Sequence, residues 1–124
     1  MESFLIVLLN NYVDVLKKYM VFTGRADRKE FWLFVLVNAV VVIVFNILIK
    51  IPILKIIFWI AYFLFGLAII IPLITVGIRR LHDTNKTGWL MLLCLIPFAG
   101  LIAIFVLCAL EGTPGENQYG SPPY

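Results

Sequence analysis

Three long apolar runs constrain this chain more than any other feature of its 124 residues. They cover residues 31–49, 56–78 and 89–110, and apart from cysteine and tyrosine they contain no ionisable side chain. As α-helices they would extend about 28, 34 and 33 Å, and the hydrocarbon core of a bilayer is about 30 Å thick. We therefore predict three transmembrane helices, the last two with some tilt.

The composition excludes most other classes of protein. Hydrophobic residues make up 63% of the chain and charged residues only 14%, and the mean hydropathy is +1.05. A soluble domain is about half apolar and about a quarter charged. The net charge of +3 comes from basic residues that flank the apolar runs, which is typical of a topology signal rather than of a nucleic-acid interface.

Residues 3–20 have the periodicity of an amphipathic helix. Six polar side chains fall on one side of a helical projection, and apolar side chains cover much of the rest. Its apolar start, Phe4 to Leu9, is too short to span a membrane, so we predict a helix that lies in the membrane interface. The polar residues are Ser3, Asn10, Asn11, Asp14, Lys17 and Lys18.

The basic residues predict an orientation. Eight of the ten lie before the first apolar run or between the second and third, whereas Lys50 and Lys55 lie between the first and second. The positive-inside rule therefore predicts that the N-terminus and second loop are cytoplasmic and that the tail, residues 111–124, lies outside. The eight are Lys17, Lys18, Arg25, Arg28, Lys29, Arg79, Arg80 and Lys86.

A few residues within the apolar runs leave alternatives open. Pro72 removes a backbone donor from the second run, so the helix there is either continuous or broken. Asn38 and Asn46 in the first run can bond across a helix interface, which is the interpretation we favour. With Thr75, they are also the polar candidates for the lumen of an oligomeric pore or a solute path.

Two polar clusters, residues 24–30 and residues 79–89, lie at the predicted cytoplasmic ends of the runs. Asp27 is suited to cap the N-terminus of the first spanning helix, where Glu30, three residues later, can complete a capping-box-like pair. Thr87 is suited to cap the third spanning helix. Arg79 or Arg80 can pair with either carboxylate, because a guanidinium can hold a carboxylate bidentately. The candidate functional or structural residues are Arg25, Arg28, Glu30, Arg79, Arg80, His82 and Asp83.

These clusters support three interpretations. We favour ion pairs that fasten the cytoplasmic ends together, and the surplus cations could instead bind an anionic lipid headgroup or a phosphate ligand. A lipid-modifying enzyme would use His82 and Asp83 as general acid or base, but adjacent residues rarely point the same way and no nucleophile is evident. We therefore expect no catalytic residue, no metal site and no cofactor.

The tail is dense in turn-forming residues. Pro114 and Gly115 suit the middle of a type II turn. The segment is either an ordinary polar terminus or a small ordered cap or partner-docking segment. Its candidate residues are Gly112, Pro114, Gly115, Glu116, Asn117, Tyr119 and Gly120.

Three motifs in order resemble the YhaH-type bacterial inner-membrane proteins, the family known as domain of unknown function 805. They are residues 22–32 (FTGRADRKEFW), 79–84 (RRLHDT) and 112–120 (GTPGENQYG). The resemblance covers about residues 12–121, which is nearly the whole chain. It implies a small polytopic protein of the bacterial cytoplasmic (inner) membrane. The family has no established activity, so the resemblance names no catalytic or binding residues.

Together these observations predict an all-α membrane protein of one domain, residues 1–124, in which the interfacial helix and three spans pack as a small bundle. We expect a multi-pass, non-enzymatic accessory or interaction subunit whose polar clusters form the interaction surface. The alternatives are an oligomeric pore or small-solute transporter, and a protein that binds anionic lipid or phosphate. The expected partners are the lipid bilayer, anionic headgroups, a membrane protein or further copies of the chain, and no nucleic acid.

Overall fold

The structure, a computed structural model, describes residues 2–123. Met1 and Tyr124, the ends of the predicted domain, lie outside the described residues. Every regular element of the described part is a helix, which confirms the all-helical prediction. The elements are α1 (Glu2–Lys17), α2 (Arg28–Leu48), α3 (Lys55–Asp83), a 3₁₀ helix (Gly88–Leu95) and α4 (Ala99–Ala109).

α2 and α3 form an antiparallel pair, and both are long and apolar enough to cross a membrane. Phe45, near the end of α2, stacks on Tyr62, near the start of α3, with ring centroids 5.1 Å apart. α3 is a single helix of 29 residues that contains Pro72. Of the two alternatives left open by that residue, the continuous helix is therefore the correct one. At about 1.5 Å per residue it exceeds the hydrocarbon core, so a terminal stretch of it can project beyond the core.

α1 packs across the first half of α2. The Asn11 amide donates to the Glu30 carbonyl oxygen (3.0 Å), and the Tyr12 hydroxyl donates to Asn38 Oδ1 (2.9 Å). The Tyr12 ring also stacks on Phe34, with centroids 4.9 Å apart. α1 ends at Lys17, three residues before the predicted end, and its location in the membrane interface remains a prediction.

The third apolar run is not one helix, so the prediction of a transmembrane helix over residues 89–110 is wrong. The 3₁₀ helix ends at Leu95 and α4 begins at Ala99. Pro97 has no backbone N–H and excludes the helical conformation from the residue before it. Ile96 is accordingly extended (φ −90°, ψ 114°), and Phe98 adopts a left-handed φ of 59° that reverses the chain.

The two halves of this run pack against each other as a helical hairpin, residues 88–109, whose ends lie together. Gly88, at its start, is so close to α3 that an added Cβ would lie 2.6 Å from Ile78 Cγ2. At its end, the Cys108 carbonyl oxygen accepts a hydrogen bond from Trp32 Nε1 (3.3 Å). Trp32 is near the start of α2 and Ile78 is near the end of α3, so both ends of the hairpin lie beside these two helix ends.

The tail also returns to this end of the molecule. The Thr113 amide donates to the Asp83 carbonyl oxygen (2.7 Å), and Arg25 donates to the Gly115 carbonyl oxygen (2.6 Å). The tail therefore cannot lie across a bilayer of about 30 Å from the loop that holds Arg25. The prediction of a tail on the opposite side from the N-terminal loop and second loop is wrong, because the hairpin brings the chain back.

Close approach of the two hairpin limbs depends on Gly100. A Cβ added at Gly100 would lie 1.6 Å from the Leu93 carbonyl oxygen, whereas one added at Gly66 in α3 meets nothing within 4 Å. We expect Gly100→Ala to destabilise the detergent-solubilised protein by about 1–3 kcal/mol or more, since the limbs must separate. Gly66→Ala is the matched control, and thermal unfolding followed by tryptophan fluorescence measures both. Equal apparent Tm values for the two variants would contradict the packing described.

Candidate functional site

The site begins with the loop that precedes α2. The Ala26 amide donates to the Arg79 carbonyl oxygen (2.8 Å), which lays the loop across the last turns of α3. Asp27 caps α2, as predicted, because its carboxylate accepts from the Glu30 amide (2.7 Å). Gly24 allows the approach of the loop with a φ of 89°. These contacts bring the first polar cluster of the sequence onto the second.

Three buried charged side chains, Arg25, Arg80 and Asp83, form what we call the latch. Arg25 Nε donates to Asp83 Oδ1 (2.8 Å), and Arg80 Nη1 donates to Asp83 Oδ2 (2.5 Å). The three side chains are 0%, 0% and 1% exposed. One carboxylate thus serves two guanidinium groups away from water, where charge-assisted hydrogen bonds are strong and an unpaired charge is costly.

Backbone carbonyl groups accept the remaining hydrogen bonds of the Arg80 guanidinium. Its Nε donates to the Cys108 carbonyl oxygen (2.8 Å) and its Nη1 to that of Ala26 (3.2 Å). Its Nη2 donates to the Leu110 carbonyl oxygen. Arg80 therefore ties the end of the hairpin and the loop before α2 to the end of α3.

The tail surrounds Arg25 with three further carbonyl oxygens. They belong to Thr113 (2.5 Å), Gly115 (2.6 Å) and Gly120 (3.2 Å). Gly115 has a φ of 70°, as the second central position of a type II turn requires, and Gly120 has a φ of 113°. The turn-forming residues of the tail thus allow its backbone to wrap around a buried cation.

Arg79 forms a separate ion pair with Glu30, whose carboxylate pairs with Arg79 Nη1; this is one of the pairings that the sequence left open. The predicted contact of Arg80 with Asp27 or Glu30 is replaced by its contact with Asp83. The Arg79 side chain is 3% exposed, and its Nε and Nη2 atoms have no hydrogen-bond partner among the described residues.

His82 holds the tail by its ring. Its Nδ1 lies 2.8 Å from the Gly24 carbonyl oxygen, and because a carbonyl only accepts, Nδ1 carries the donated proton. The ring of Tyr119 stacks on the imidazole, with centroids 4.0 Å apart and planes 5° apart. The Asn117 amide donates to the His82 carbonyl oxygen (3.0 Å). His82 and Asp83 therefore both contact the loop before α2 and the tail, through different residues of those segments.

A cleft of about 380 Å³ opens beside the latch. Arg28, which is exposed, lies on its rim, and the predicted tail residue Glu116 is also exposed but is not part of the lining. Three carboxylates against two guanidinium groups give the lining a negative formal charge, which disfavours an anionic ligand there. The lining residues are Asp27, Arg28, Arg80, Asp83, Glu111, Gly112 and Pro114.

Sequence reasoning missed the backbone half of this site. The carbonyl groups of Cys108, Leu110 and Thr113 bind arginines, yet no side-chain pattern identifies a carbonyl as a ligand. The density of turn-forming residues is the one available signal, since it made an ordered cap one of the alternatives for the tail. Among the described residues, the structure shows no cluster of His, Cys, Asp and Glu suited to hold a metal ion.

Asp83 is the only carboxylate within the latch as defined above, and its charge is the feature to test. We expect Asp83→Asn to destabilise the protein by about 3–5 kcal/mol, because two buried guanidinium groups lose their counter-charge. Glu116→Gln, the same chemical change at an exposed tail position, serves as the control and leaves stability nearly unchanged. Thermal unfolding in detergent measures both, and similar stabilities would contradict the role of the latch.

Comparison with known proteins agrees with the motif resemblance. The family model described as "Protein of unknown function (DUF805)" matches residues 19–121. Inner membrane protein YhaI of Escherichia coli K12 is 40% identical over 117 residues, covering 90% of this chain and 93% of YhaI. Inner membrane protein YhaH of the same strain is 41% identical over 119 residues, covering 90% of this chain and 94% of YhaH. No solved structure matches the chain significantly. The chain therefore belongs to the DUF805 family and, like these relatives, is a protein of the inner membrane.

Proposed function

We propose that this chain is a non-enzymatic, multi-pass subunit that presents a surface to a membrane-protein partner. The surface is at the latched end, which is the end of the molecule that contains the latch, and this end faces the cytoplasm. The observation that carries the proposal is that the buried charged groups of the site bind other groups of the same chain. Arg25 and Arg80, both fully buried, direct their donors to Asp83 and to backbone carbonyl oxygens. Groups that act on a substrate need access to it, so this arrangement supports a structural role for the latch.

The contacts of the polar residues within α2 and α3 disfavour the pore alternative. The Asn38 amide donates to the Phe34 carbonyl oxygen, and that of Asn46 donates to the Val42 carbonyl oxygen. The Thr75 hydroxyl contacts the carbonyl oxygens of Tyr19 and Ile71. Asn38 Oδ1 also accepts from the Tyr12 hydroxyl of α1, and the Asn46 amide also donates to the Tyr62 hydroxyl of α3, so these side chains support packing between helices rather than a lumen.

The charge distribution supports the cytoplasmic orientation. Eight basic residues lie within residues 17–29 and 79–86, at the start of α2 and the end of α3, against Lys50 and Lys55 at the opposite ends of these helices. The tail contains no basic residue, so its return to the latched end leaves this bias unchanged. The positive-inside rule then assigns the latch, the tail and the N-terminal loop to the cytoplasm.

Cysteine labelling tests this topology in a chain with Cys94→Ala and Cys108→Ala. We expect Lys29→Cys and Ser121→Cys to react with a membrane-impermeant maleimide only after the cells are permeabilised. Ile53→Cys, at a side chain that is 90% exposed between α2 and α3, reacts in intact spheroplasts and is the control. Labelling of Ser121→Cys together with Ile53→Cys would contradict the topology.

The exposed residues of the latched end offer a direct test of partner binding. We expect native extraction at endogenous expression, followed by mass spectrometry, to recover a stoichiometric membrane-protein partner with the wild-type chain. Arg28→Glu with Lys29→Glu reverses two exposed charges at the latched end and is expected to release the partner. Lys50→Glu with Lys55→Glu makes the matched change at the other end and is expected to retain it. Equal retention by both double variants would contradict the proposed surface.

A second candidate function, binding of anionic lipid headgroups, is favoured by one observation. Four cations at the latched end are exposed and lie near the predicted interface, where each basic residue contributes about 1 kcal/mol of attraction to an anionic leaflet. Recovery of the chain with anionic lipid and without a protein partner would support this candidate. The four are Lys17, Lys18, Arg28 and Lys29.

A further inference from the structure

The helices are unevenly distributed along the long axis of the molecule. All buried residues of α2 lie between Phe31 and Asn38, in its first half, and all those of α3 lie from Ile69 to Asp83, in its second half. Because the two helices are antiparallel, these halves are at the same end. α1, the hairpin and the tail all pack there.

The limbs of the hairpin have the length of one leaflet. The 3₁₀ helix has eight residues and α4 has eleven, so each limb extends about 16 Å at its standard rise per residue. The hydrocarbon core is about 30 Å thick. Phe98, at the turn between the limbs, is 82% exposed, which is compatible with contact with acyl chains near the middle of the bilayer.

α1 adds apolar surface to the same leaflet. It is about 24 Å long and packs through Asn11 and Tyr12 against the first half of α2. Phe4 and Leu9 are 55% and 63% exposed. α1 packs on the protein through Asn11, Tyr12 and the fully buried Val15, so the apolar side chains that it leaves exposed can insert shallowly into the adjoining leaflet.

From this arrangement we infer that the protein is a membrane wedge that fits a leaflet convex on the latched side. That leaflet accommodates segments of α2 and α3, both hairpin limbs and α1, whereas the opposite leaflet contains only α2 and α3 among the described helices. Extra helical cross-section in one leaflet expands it relative to the other, and such insertion is sensitive to curvature. The inference goes beyond the proposed function, since it requires neither a protein partner nor a particular cellular orientation.

Reconstitution into vesicles of different size tests the wedge. The chain carrying Ser121→Cys, Cys94→Ala and Cys108→Ala is inserted into unilamellar phosphatidylcholine vesicles of about 30 nm and about 400 nm diameter. An impermeant maleimide, added before and after detergent, measures the fraction of tails that face outward. The lipid has no net charge, so attraction of basic residues to lipid does not set the orientation.

We expect the ratio of outward-facing to inward-facing tails to be at least about twofold higher in the small vesicles, whose outer leaflet is strongly convex. Equal ratios at both sizes, or a higher inward fraction in the small vesicles, would overturn the inference. Neither result depends on a partner, so failure here is distinguishable from failure of the proposed function.

Exposed apolar residues provide a matched pair of variants. Phe4→Gln with Leu9→Gln removes lipid-facing apolar surface from α1 without touching the latch and is expected to reduce the size dependence. Ile53→Gln changes an exposed residue at the opposite end and is expected to leave the size dependence unchanged. Thermal unfolding shows whether each variant is folded, and a folded α1 variant with undiminished size dependence would overturn the contribution of α1.

Discussion

The Asp83 carboxylate, held between Arg25 and Arg80, is the interaction on which the rest of the structure depends. Removing three charged side chains from water is costly, and the cost is offset only if every contact is present together. Two arginines against one carboxylate leave an excess positive charge. The carbonyl oxygens of the loop, hairpin and tail help to stabilise that excess, which makes their positions interdependent.

This requirement explains why the third apolar run does not cross the bilayer. Arg80 binds the Cys108 carbonyl oxygen at the end of the hairpin, so the chain must return to the level at which it entered. Pro97 interrupts the helix. Because Gly100 has no Cβ, the backbones of the two limbs can come into contact there. A backbone turn inside a membrane is tolerated where its polar groups are satisfied internally. Here the Gly100 amide donates to the Ile96 carbonyl oxygen.

The two ends of the molecule therefore have different physical character. At the latched end, buried charges, stacked rings and backbone contacts hold α1, the hairpin and the tail around α2 and α3. Towards the other end the two helices make few buried contacts, and Ile53 in their connection is 90% exposed. A polar, closely packed end and a sparsely packed end suit a protein whose interactions take place at one membrane face, which agrees with the proposed function.

The sequence by itself determined the helical class and the membrane location, and it singled out the charged side chains that the structure brings together, since apolar runs and charged clusters are local properties of the chain. It also predicted the Asp27 cap, and it included the pairing of Arg79 with Glu30 among the alternatives for the two arginines. Only the tertiary structure decided that residues 89–110 form a hairpin and that the tail returns. Length and hydropathy are the same for a crossing helix and for a folded-back pair. The difference depends on contacts of Arg25 with carbonyl groups nearly ninety or more residues away, which no local pattern encodes.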